Sequence, residues 1–149
     1  VEVNPRYTAS VEILERASGV SAIALHASAF ESTGAATGGQ ITQAPPQDTR
    51  MLHGKLIVYA PTPAVITQPL AQLAADLNRD SSMPLVADIP PTNSNVSSGA
   101  PITTVFGSGR SELALLNVLR QRATDVYETL GVAATHERSL MGVKLDLQN

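Results

Sequence analysis

The stretch Phe106-Gly107-Ser108-Gly109-Arg110-Ser111-Glu112 comes nearest, in residue types and spacing, to a binding motif. Two glycines let a backbone approach a ligand closely, Ser108 or Ser111 can cap a following helix, and the first N–H groups of that helix favour an anion. Arg110 adds a guanidinium able to fork onto a carboxylate or phosphate. Gly107, Ser108, Gly109, Arg110 and Ser111 are therefore the candidate anion-binding residues. Two features weigh against them. Glu112 falls in the first helical turn, where it complements the helix dipole and repels an anion. The segment also lacks the lysine of a phosphate-binding Gly-x4-Gly-Lys-Ser/Thr loop. A helix start flanked by glycines is the plainer account.

The remaining chemistry-bearing residues are dispersed. His26, His53 and His136 lie far apart, in neither H-x-H nor H-x-x-x-H order. His26 and His53 approach each other, with Lys55 nearby, if the segments that carry them pair as strands, yet no Asp or Glu recommends itself as a third metal ligand. Asp76 and Asp80 flank a helix end and Asp88 follows on the next segment. Asp76 stands three residues from Arg79, which describes a solvated helical pair better than an acid–base couple. No G-x-S-x-G elbow occurs. Cysteine is absent, which excludes disulfides, thiolate nucleophiles and Cys-ligated metal centres. No catalytic residue, metal site or cofactor is assigned, and the balance points away from an enzyme.

The elements that must position these residues follow from periodicity. Tyr7, Ala9, Val11 and Ile13 alternate with polar residues and predict a strand. Arg16-Ala17-Ser18-Gly19 predicts a reversal, with Gly19 at positive φ. A second strand is expected over Val20–Phe30, with helix the competing reading because the stretch is alanine-rich. Residues 32–48 read as a first long loop. A third strand is expected over Thr49–Tyr59, with Leu52, Leu56 and Val58 on one face and Gly54 between them. Pro61-Thr62-Pro63 turns the chain, and Ala64–Thr67 is a brief extended piece. Pro69 then opens a helix carrying Leu70, Leu73, Ala74 and Leu77 at helical spacing. A short strand is expected over Met83–Ile89, and residues 90–108 read as a second long loop.

The strongest element is the helix in which Leu116, Leu119, Ala123, Val126 and Leu130 recur at spacings of three and four, with Leu113 and Leu115 widening the stripe. Gly131 is its expected left-handed cap, with Val132 folding back on Tyr127. Val143, Leu145 and Leu147 alternate in a terminal strand. The order β-β-β-α-β-α-β predicts an α+β fold: a mostly antiparallel sheet with two helices on one face, forming one domain over residues 1–149. The face opposite the helices is then left solvated or available to an oligomer.

Composition bounds the partners. Of the 149 residues, 15% are charged, against about 25% in ordinary domains. No charge occurs between Glu31 and Asp48, between Lys55 and Asp76, or between Asp88 and Arg110. A net charge of -3 with scattered basic residues argues against nucleic acid, whose phosphates require a clustered basic face. Leu56–Ile66 is too short and too proline-broken to span a bilayer. The aromatic rings, Tyr7, Phe30, Tyr59, Phe106 and Tyr127, are too dispersed for a stacking platform. Asn95-Val96-Ser97 matches a glycosylation acceptor, which bears on function only in a secreted eukaryotic chain. No signal-peptide pattern is visible at Val1, so a removed leader or a trimmed start accounts for the missing methionine.

These features suit a structural or assembly component in contact with other protein subunits, as a homo-oligomer or within a larger complex. An exported, periplasmic or cell-envelope setting fits, as does an extracellular or viral particle, and a cytoplasmic one stays open. The alternative is a small enzyme or ligand-binding domain with its anion site at the start of the second helix. A third reading is a periplasmic domain that pairs with a partner strand at the edge formed by Met141–Leu147.

Overall fold

A computed structural model describes residues 8–31 and 50–132. Along the chain run α1 (Ala9–Ser18), α2 (Ala22–Glu31), β1 (Leu52–Tyr59), β2 (Ala64–Val65), α3 (Gln68–Asn78), β3 (Val86–Ala87), β4 (Asn95–Val96), β5 (Pro101–Gly109) and α4 (Glu112–Thr129). The fold is α+β. Strands β1, β5 and β3 form an antiparallel sheet in that spatial order, and β2 pairs with β4 in a separate antiparallel ribbon. Helix α4 packs on β1 and β5, while α3 packs on β3 and on α4.

Residues directly opposite one another across a sheet share a face. Gly54, Leu56 and Val58 of β1 stand opposite Gly107, Val105 and Thr103 of β5, and this is the face under α4. The core there is built from Val58, Val86, Val105, Leu70, Ala74, Leu119, Ala123 and Val126. His53, Lys55 and Ile57, opposite Ser108, Phe106 and Thr104, lie on the other face. That face is not bare, because α1 packs against β1.

The ends of α4 agree with the sequence. Ser111 Oγ accepts the Ala114 N–H at 3.2 Å, satisfying one of the donors a helix start leaves open. At the other end Gly131 has φ 64°. Its N–H donates to Glu128 O at 3.1 Å, and Val132 N–H donates to Tyr127 O at 3.1 Å, the paired bonds of a Schellman ending. Helix α3 carries Pro69 in its first turn and buries Leu70 and Ala74.

The order of elements departs from expectation in the N-terminal part. The strand predicted around Val11 and Ile13 is helix α1. Its docking face is polar: Glu12 pairs with Lys55, and the Arg16 guanidinium sits 3.9 Å from the centroid of the Phe106 ring while donating to Pro84 O. Glu12 and Arg16, four apart, lie on one helical face, which no count of apolar residues detects. Gly19 does take positive φ, at 69°, but as the C-cap of α1, donating to Glu15 O at 2.8 Å. The strand predicted over Val20–Phe30 is helix α2, in line with its alanine content. Ser21 Oγ accepts the Ala24 N–H at 3.2 Å, and Glu15 Oε1 accepts the Ala22 N–H at 2.6 Å, so the helix start is capped from both sides.

The second correction is larger. Residues 90–108, expected as loop, contain β4 and all but the last residue of the central strand β5. Ile102 through Gly107 are all buried, so β5 is covered on both faces and shows no alternation. Its two buried threonine hydroxyls are satisfied internally, Thr103 Oγ1 by Ala87 O and Thr104 Oγ1 by Asp88 Oδ2 at 2.7 Å. The strand expected over Met83–Ile89 shortens to Val86–Ala87, and that expected over Thr49–Tyr59 is β1. The first long loop, His136 and the terminal strand lie outside the described residues.

Candidate functional site

The candidate anion-binding residues are distributed over a strand end and a helix start. Gly107 and Gly109 belong to β5. A Cβ on Gly109 would come within 2.5 Å of Leu115 N, and one on Gly107 within 3.0 Å of Leu119 Cδ2. Their missing side chains therefore let α4 close onto the sheet. Ser111 caps α4 through Ala114, and Glu112 occupies the first turn. Ser108 and Arg110 are exposed.

His26 lies on α2 and stacks edge-on against Phe30, with ring centroids 4.9 Å apart. His53 lies on β1, opposite Ser108, so the two histidines sit on different elements and not on paired strands. Among the described residues, no group of three or more His, Asp or Glu side chains is placed to hold a metal. Asp76 pairs with Arg79 on the exposed side of α3, as the spacing predicts. Asp88, with φ 57°, is tied to Thr104.

His53, Gly107 and Ser108 do converge on one cleft of about 610 Å3. Its other walls come from the end of α1, notably Arg16, from the link between α1 and α2 with Ser21, and from the connection between α3 and β3. Sequence reasoning did not single out Arg16. Its one signal was its place four residues after Glu12.

A second cation closes the opposite side of the sheet. Arg122 on α4 donates to Phe106 O, an edge carbonyl just beyond the reach of the short β3. Burial pulls the Arg122 guanidinium below its ordinary pKa, and Asp125 acts in the opposite direction.

The outer edge of β1 is also accessible. Phe106 N–H donates to Leu85 O at 2.9 Å, so the polar backbone of Phe106 points to the β3 side. Lys55, opposite Phe106, therefore forms a non-hydrogen-bonded pair with it, and alternation gives Ile57 and His53 the same orientation. These residues turn their N–H and C=O groups away from β5. Among the described residues no strand pairs with that edge. Leu52, Ile57 and Tyr59 are 45%, 40% and 42% exposed along it. Leu14 of α1 and Ile23, Leu25 and Phe30 of α2 are further exposed apolar side chains.

Among the described residues no helix is long and apolar enough to cross a membrane. No protein-family model matches the chain, and no match was found among curated proteins or solved structures.

Proposed function

We propose that this protein is a structural or assembly component that joins protein subunits, its own copies included, through an open sheet edge. The observation that carries the reading is the outer edge of β1, eight residues long and without a paired strand among the described residues. Monomeric proteins shield such edges with proline, inward charges, bulges or very short strands. Strand β1 has no proline and no acidic residue, and its Lys55 is engaged by Glu12. Its register irregularity falls at its end, between Val58 and Tyr59.

The composition supports the same reading. Neutral segments rich in hydroxyls and amides can be covered by a neighbour without the cost of desolvating charge. Exposed Ile57 and Tyr59 supply apolar contact beside the backbone bonds. An exported or particle-borne setting is consistent with so sparsely charged a surface.

Light scattering coupled to size exclusion tests the proposal from micromolar to millimolar concentration. A mass rising to a defined multiple of the 15.6 kDa chain is the expected result. A strictly monomeric protein across that range would overturn it.

A further inference from the structure

We infer that α1 and α2 form a strap that lifts off the sheet as a unit when salt screens its charged contacts, uncovering Phe106 and opening the cleft beside it. The inference is independent of the assembly reading above, since it concerns a face of the sheet and not its edge.

The strap lacks an apolar anchor. None of the described side chains of α1 or α2 is buried, whereas α3 buries Leu70 and Ala74 and α4 buries Leu119, Ala123 and Val126. Val11 and Ile13 of α1 are half-buried, and Leu14, Ile23 and Phe30 are exposed. Among the described residues α1 packs extensively on β1 alone, and α2 on no other element. Elements with few buried apolar contacts open locally, at lower free energy than the whole fold. The two helices move together because Glu15 Oε1 of α1 accepts the N–H of Ala22, the first residue of α2, at 2.6 Å.

The surface beneath α1 is closed by charge. Phe106 is 1% exposed, yet it stands outside the apolar core under α4. The Arg16 guanidinium lies 3.9 Å and the Lys55 ammonium 5.7 Å from the centroid of its ring, and both attract the ring electrostatically. Lys55 is held in turn by Glu12. The Lys55 and Glu12 side chains keep 18% and 31% of their exposure, within reach of counterions, so the pair weakens as salt rises. The apolar burial that seats α3 and α4 is not screened in this way.

Release has a consequence for the cleft of about 610 Å3, one side of which is walled by Arg16, Gly19, Val20 and Ser21. When the strap lifts, that wall leaves with it. His53 and Ser108, which line the rest of the cleft with Gly107, then open to solvent together with Phe106. The strap thus gates the cleft, with ionic strength as the control.

Hydrogen exchange of the full chain, read by mass spectrometry from about 10 mM to about 1 M sodium chloride, tests the strap. Over that range the screening length falls from about 30 Å to about 3 Å. Amides of α1 and α2 should exchange roughly two- to fivefold faster at high salt, the factor that loss of one exposed ion pair implies. Strand β5 and helix α4 should keep their protection. A neutral gadolinium chelate should broaden the Phe106 ring resonances at high salt and leave them sharp at low salt.

Two variants separate charge from mere contact. Lys55→Glu sets two carboxylates against each other and should bring fast exchange of α1 already at low salt. Exchanging the charges, with Glu12→Lys and Lys55→Glu together, should restore the protection. Exchange in α1 and α2 that ignores salt would overturn the inference, as would an acceleration shared equally by α4. If Lys55→Glu fails to fold, the salt series on the native chain decides by itself.

Discussion

Gly109 and Leu115 meet backbone to backbone where β5 turns into α4: a Cβ on Gly109 would lie 2.5 Å from the Leu115 nitrogen. The helix can rest this low on the strand because position 109 has no side chain. Gly107 serves the same contact one pleat away, beneath Leu119 and Val118. The glycines of the candidate anion motif thus have a packing role that is independent of any ligand.

Gly109→Ala should therefore destabilise the fold by about 1–3 kcal/mol, the usual cost of overpacking. Gly54→Ala is the control, since its nearest contact is Leu115 Cδ2 at 3.1 Å, the end of a side chain that can move aside. Its effect should stay within about 1 kcal/mol, offset by the smaller entropy of the unfolded chain. Urea unfolding separates the two, and equal midpoints for both variants would refute the close-contact argument.

Arg16 ties α1 to the sheet through Phe106 and Pro84. Arg16→Ala removes a cation–π contact of about 0.5–2 kcal/mol and a hydrogen bond of about 1 kcal/mol. Amide exchange in α1 should accelerate while β1 and β5 keep their protection. Arg16→Lys should restore little of it, because an ammonium lacks the planar fork that stacks and donates together. Unchanged exchange in α1 after Arg16→Ala would show that other contacts hold the helix.

Asn78 at the end of α3 organises the start of β3. Its Oδ1 accepts from Leu85 N at 2.7 Å and from Val86 N at 3.0 Å, and its Nδ2 donates to Val86 O at 2.8 Å. Asn78→Ala should cost about 2–4 kcal/mol, since several half-buried backbone groups lose partners at once. Thermal unfolding measures it, and a change no larger than that of a surface substitution would contradict the role.

Asn93 holds φ 70° and donates its N–H to Ile66 O at 2.8 Å in the turn before β4. Left-handed backbone costs an ordinary L residue about 1–2 kcal/mol. Asn93→Ala should lose about 1 kcal/mol, whereas Asn93→Gly should be close to neutral. The reverse ranking in a denaturant titration would mean that the Asn side chain, not the backbone, sets the preference.

By sequence alone, the elements with local rules were determined. The stripe from Leu116 to Leu130, the left-handed Gly131 and the apolar spacing after Pro69 each encode a helix through neighbours three or four residues away, and β1 announced the face under α4 through Leu56 and Val58, while Leu52, expected on that face too, is exposed. The α+β class followed from these. Tertiary structure decided the rest. Strand β5 carries no alternation because both its faces are covered, and its threonines become core residues only once Ala87 and Asp88 arrive to accept their hydroxyls. Helix α1 docks by charge and cation–π contact with Lys55 and Phe106, partners far away in the chain that a local pattern cannot see. The cleft joining His53, Ser108 and Arg16 exists only because β1, β5 and α1 meet there. Side chains distant in sequence acquire a common purpose only after the backbone has brought them together.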